Sequence, residues 1–153
     1  MSLRETFEAR SKEELEKYGR IIVRKMIRYL RDEGKEATGE LIRSIGFEVD
    51  GFTLTFIAEA DHAIYVHEGT DPHWPPPGAL EDWVQTVRFA PQLTLQSRDY
   101  LARKSIAESG TEATPFMDDV LADNEDIISK GIAQGLLKGL KATLDDTLDR
   151  ISG

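Results

Sequence analysis

All three histidines of the chain, His62, His67 and His73, fall in one short run that also holds Asp61, Glu68 and Asp71. Imidazoles and carboxylates at that density could hold a divalent cation, and the cation could activate water. A small metal-dependent hydrolase built on His62, His67 and His73 is therefore one reading. Against it, no His-Glu-x-x-His occurs, and the apolar run Ala63–His67 reads as a strand. On a strand Tyr65 and His67 point one way while Val66 and Glu68 point the other, so His67 and Glu68 diverge. The run then reads as a surface loop or partner-binding segment. The serines Ser11, Ser44, Ser97, Ser105, Ser109 and Ser129 have no patterned base beside them. No nucleophile elbow, phosphate-binding glycine loop or dinucleotide fingerprint is present. The expectation is a protein that is not an enzyme and carries no catalytic, cofactor or metal residues.

Trp74 lies in Thr70-Asp71-Pro72-His73-Trp74-Pro75-Pro76-Pro77-Gly78, where four prolines exclude helix or internal strand. The loop could bury Trp74 against a following helix, or present it as an anchor for a partner. Trp74 and Trp83 lack interleaved Lys and Arg, so base stacking is not indicated. Net charge of −9, with 28 acidic against 19 basic residues, also argues against specific nucleic-acid binding. Arg20, Arg24, Lys25, Arg28 and Arg31 crowd the first third, and Asp118, Asp119, Asp123, Glu125, Asp126, Asp145, Asp146 and Asp149 the last. These are either complementary surfaces between copies or ordinary solvated helix faces.

The chain of 153 residues is long enough for one domain with a core, and it has no cysteine for disulfides or thiolate metal sites. No window approaches the roughly eighteen apolar residues of a membrane span, and the start lacks a signal-peptide apolar region. A cytoplasmic product with no membrane role is expected.

The elements that would position these residues follow from periodicity. Ser11-Lys12-Glu13-Glu14 fits a capping box, and Leu15, Tyr18, Ile22, Met26, Tyr29 and Leu30 recur at helical spacing, predicting a helix over 11–34 closed by Gly34. A short element with Leu41 and Ile42 follows Thr38-Gly39. From Ile45 the period becomes two, with Asp50-Gly51 as a hairpin turn and a third strand at 63–67, giving antiparallel strands over 45–68. The region 71–110 is a Pro-rich loop and helical insertion, helical over 79–89 and 96–109. From Phe116 a closing helix runs to Ile151, with Leu136, Leu140, Leu144 and Leu148 four apart. Gly131, Gly135 and Gly139 align on one face of it. Each glycine costs about 1 kcal/mol against alanine, so the row predicts a close approach, to the N-terminal helix or to a neighbouring subunit. Otherwise it marks a weak, bending helix. The architecture predicted is a single α+β domain over 1–153, an antiparallel three- to four-stranded sheet packed by long N- and C-terminal helices.

Several of these segments occur together in a recognisable order. Thr38-Gly39-Glu40-Leu41-Ile42-Arg43-Ser44-Ile45 precedes the hairpin, Tyr65-Val66-His67-Glu68-Gly69-Thr70 follows it, and Pro115-Phe116 opens the closing helix. The chain thereby resembles the neck and tail-completion proteins of tailed phages, the head–tail joining or minor tail family. The match is closest over about 38–120. Many relatives carry glutamate directly after Tyr-Val, where this chain has His67. The resemblance implies a structural virion protein of a phage or prophage, made in the host bacterial cytoplasm. It implies copies closing into a ring, six being a candidate number, between the head connector and tail proteins. It makes Gly39, Leu41, Ser44, Tyr65, Gly69, Thr70, Pro115 and Phe116 architectural: Gly69 as a strand exit, Tyr65 as a core or interface anchor, Phe116 as the pin holding the last helix to the sheet. Trp74, Gly131, Gly135 and Gly139 are the candidate interface residues. A bacterial interaction module unrelated to phage is the remaining alternative.

Overall fold

The computed structural model describes residues 1–35, 39–87 and 89–153. In chain order its elements are α1 (Leu3–Asp32), α2 (Glu40–Ser44), β1 (Ile45–Asp50), β2 (Thr53–Ala58), α3 (Ala63–Glu68), α4 (Glu81–Thr86), α5 (Leu95–Ser109), α6 (Phe116–Asp123) and α7 (Glu125–Ser152). The fold is α+β, a small antiparallel sheet with long N- and C-terminal helices. Two compact units divide the chain: Met1–Met26, Ile45–Ile57 and Met117–Gly153 form the first, Ile27–Ser44 and Ala58–Phe116 the second.

Helix α1 forms because its apolar residues recur at helical spacing, and Leu15, Ile22, Met26 and Leu30 are fully buried. It starts at Leu3 rather than at Ser11. Ser11 is therefore mid-helix, buried, and its hydroxyl has no hydrogen-bond partner among the described residues. Ser11 and Glu14 imitate a capping box because both face a neighbouring helix, where a small residue and a paired acid are needed. Gly34 does terminate the helix, with φ 67° and its N–H donated to the Arg31 carbonyl.

In the first unit, the hairpin of β1 and β2 keeps the expected alternation, with Glu48, Asp50, Thr53 and Thr55 exposed. The turn is shifted by one residue from Asp50-Gly51: the loop is Gly51-Phe52, with Gly51 at φ 57° and Phe52 outside the positive-φ region, the pattern of a type II′ turn. Phe47 of β1 lies against Gly19 of α1, where a Cβ would come within 2.6 Å of its ring. The Phe52 and Phe7 rings pack at a tilt of 60°, with centroids 5.5 Å apart. Asn124 divides the closing helix into α6 and α7, and its side chain donates to the Val120 carbonyl.

In the second unit the expected third strand is absent: residues 63–68 are α3, so the sheet among the described residues has two strands, not three or four. A short apolar run cannot distinguish strand from helix by period. Here the Ala63 N–H donates to the Ala60 carbonyl and the Val66 N–H to His62, which starts a helical turn. The proline loop from Thr70 to Gly78 is irregular, as its composition requires. α5 starts at Thr94, whose hydroxyl accepts from the Ser97 N–H at 3.2 Å, and it ends at Gly110. Arg98 donates to the Val84 carbonyl, joining α5 to α4. Thr38 and Arg88 lie outside the described residues.

Candidate functional site

In the second unit the chain crosses itself where the Tyr-Val-x-x-Gly-Thr and Thr-Pro-Phe segments meet. Thr70 and Thr111 form an antiparallel bridge, with backbone hydrogen bonds of 3.0 Å in both directions and their hydroxyls 2.9 Å apart. The Thr114 N–H donates to the Val66 carbonyl at 2.8 Å. Gly69 leaves α3 at φ 72° and ψ −177°, a region closed to side chains, and a Cβ there would come within 2.6 Å of the Thr111 carbonyl oxygen. Gly110, at φ 68°, is blocked in the same way by the Thr70 carbonyl. Gly69 is thus a helix exit, not a strand exit. Phe116, 1% exposed, meets the His67 ring edge-on at 5.5 Å, so it pins the chain to α3 and not to a strand.

The upstream motif residues are also structural. Gly39 has φ 74°, Leu41 is buried, and the Ser44 hydroxyl donates to the Leu41 carbonyl at 2.7 Å. Tyr65, expected as a core or interface anchor, is 60% exposed and so lies outside the core.

A groove of about 920 Å³ opens beside this junction, lined among others by His62, Tyr65, His73, Pro75, Trp83 and Ile106. Trp74 is 58% exposed and lies near Tyr100 of α5, ring centroids 6.3 Å apart. It is not buried against α4. Trp83 instead faces Phe89 at 5.8 Å.

The three histidines have three separate surroundings. His62 Nδ1 is 4.0 Å from Glu40 Oε2, His67 meets Phe116, and His73 Nδ1 lies 2.9 Å from the Asp71 carbonyl oxygen. Among the described residues no three His, Asp or Glu side chains converge as a metal-holding group. On helix α3, His67 and Glu68 are about 100° apart rather than on opposite faces.

In the first unit, the glycine row of α7 faces α1. A Cβ on Gly131 would lie 2.5 Å from Tyr18 Cγ, one on Gly135 3.3 Å from the Ser11 carbonyl oxygen, and one on Gly139 2.6 Å from the Phe7 ring. The glycines thus let two helices of the same chain approach closely, and α7 runs unbroken through them. Lys138 and Glu14 pair across this contact at 2.8 Å, with Lys17 3.5 Å away. The Lys138 ammonium, by donating to it, holds the Glu14 carboxyl below its ordinary value, and Glu14 raises Lys138 in turn. No pattern in the sequence pointed to the partner of Glu14, since the two residues come from opposite ends of the chain. No helix of the described residues is long and apolar enough to cross a membrane.

No protein-family profile, curated protein or solved structure matches this chain.

Proposed function

We propose that this protein is a structural subunit of the tailed-phage neck, joining the head connector to the tail by assembling with copies of itself. The reading rests on the resemblance of the ordered motifs. One observation supports it above the others: the two motif segments that carry the resemblance, far apart in sequence, are locked side by side by Gly69, the Thr70–Thr111 bridge and the Val66–Thr114 hydrogen bond. Motif residues that meet only to shape the backbone belong to an architectural signature. Exposed Tyr65 and Trp74 flanking that junction offer rigid aromatic anchors of the sort that dominate protein interfaces.

The role makes a genetic prediction. Deleting the gene from an inducible prophage should leave DNA-filled heads and free tails, rejoined when the wild-type gene is supplied in trans. Intact tailed particles from the deletion strain would sink the proposal.

A further inference from the structure

Helix α7 has a second face, opposite the glycines, that its own chain leaves uncovered. Leu137, Leu140, Leu144, Leu148 and Ile151 are 59, 53, 63, 62 and 78% exposed. At 3.6 residues per turn these five lie within about 80° of one another, and the centre of the glycine row lies about 180° away. A helix already packed along one side seldom keeps five large aliphatic residues in water along the other.

We propose that two copies of this chain pair through this stripe, antiparallel, with the two-fold axis at Leu144. The spacing of the stripe is three, four, four and three residues, which reads the same in both directions. Inverting a second copy about Leu144 therefore sets Leu137 opposite Ile151, Leu140 opposite Leu148 and Leu144 opposite itself, leaving none unmatched. Such a self-complementary patch is what a two-fold contact requires. On one flank inversion brings the two Asp145 carboxylates together, and each then has Lys141 of the other copy at the same axial offset of about 3 Å. The five side chains leave on the order of 500 Å² of apolar surface per copy, so a pair would bury about 1,000 Å² from them alone, the threshold for a specific interface. A membrane surface is the poorer occupant, because the chain carries a net charge of −9 and anionic headgroups repel it.

The pairing goes beyond the neck role and does not depend on it. A two-fold contact closes on itself, so any ring would have to grow through other surfaces, such as the Tyr65–Trp74 region.

The chain has no cysteine, which makes directed cross-linking clean. Under mild oxidation Leu144→Cys should give a disulfide-linked dimer. Leu137→Cys alone should not, because its two copies would be about 21 Å apart along the helix. A mixture of Leu137→Cys with Ile151→Cys should cross-link. In sedimentation, Leu144→Asp and Leu144→Lys should each weaken the dimer at least tenfold with helix content unchanged, and mixing the two should restore it. The proposal is overturned if wild-type protein stays monomeric up to about 100 µM, or if Leu137→Cys cross-links to itself as well as Leu144→Cys does. It is equally overturned if the protein is monomeric and floats with phosphatidylglycerol vesicles. Dimerisation together with a normal virion from the deletion strain would leave the pairing standing and remove the neck role.

Discussion

Three alanine substitutions along one helix should change stability by different amounts, and even in different directions. In an exposed helix interior each Gly→Ala change would stabilise by about 1 kcal/mol. On α7 that gain competes with the space available against α1. At Gly139 a Cβ would overlap Ser11 Oγ and lie 2.6 and 2.7 Å from Phe7 ring carbons. Ser11 is buried and Phe7 packs against Phe52 at 5.5 Å, so relief requires both side chains to move. Overpacking of that kind costs about 1–3 kcal/mol, so Gly139→Ala should lose about 2 kcal/mol net. At Gly131 the obstacle is the Tyr18 ring at 2.5 Å. Only that one half-buried ring has to shift, which leaves a smaller net loss of about 0–1 kcal/mol. At Gly135 the nearest atoms are 3.3 and 3.4 Å away, tight without overlap. Gly135→Ala should therefore be neutral or gain a few tenths of a kcal/mol. Urea unfolding followed by circular dichroism gives the three values on a common scale, with hydrogen exchange of α1 amides reporting where the loss occurs. Three equal gains of about 1 kcal/mol would refute the close approach of α7 to α1.

Other substitutions probe the remaining contacts. Ser11→Ala should stabilise by about 0.5–1 kcal/mol in urea unfolding, because it removes a buried unpartnered hydroxyl and improves helix propensity; a capping serine would instead lose about 1 kcal/mol. The Glu14 carboxyl is depressed in the folded state by Lys138, so its contribution is fully present above its ordinary pKa of 4.5 and is lost as pH falls through the lower folded value. Unfolding free energies at pH 7 and below pH 4.5 should therefore fall more steeply with acid for the wild type than for Glu14→Gln. Gly69→Ala must place a side chain at φ 72° and against the Thr111 carbonyl. A loss of about 3 kcal/mol or more, with faster exchange of the Thr70 and Thr111 amides, is expected.

Much of the helical architecture was legible because it depends on local rules. The period of α1, Gly34 as its terminator, and the proline loop all follow from backbone sterics and amphipathic spacing. The errors arise where a short pattern supports two meanings. Ala63–Glu68 is apolar enough for a strand, yet its first turn closes helically, and that removed the third strand. Ser11-x-x-Glu14 has the composition of a helix cap but serves a helix–helix contact. Asp50-Gly51 marked the hairpin, but the turn settled on Gly51-Phe52. The glycine row showed that something approaches closely, and only the structure identified it as α1. Likewise the four-residue leucine spacing indicated an amphipathic helix without showing that the leucine side faces water. Gly19 gave no signal at all, since a lone glycine in a helical run does not name the Phe47 ring that needs the space.

The account's central claim is that this chain works by assembly within a virion. Quantitative mass spectrometry of purified tailed particles tests it most directly. The claim predicts the chain in those particles at a small, fixed ratio to the portal protein, retained after high-salt washing. Particles that contain portal and tail proteins but none of this chain would contradict it.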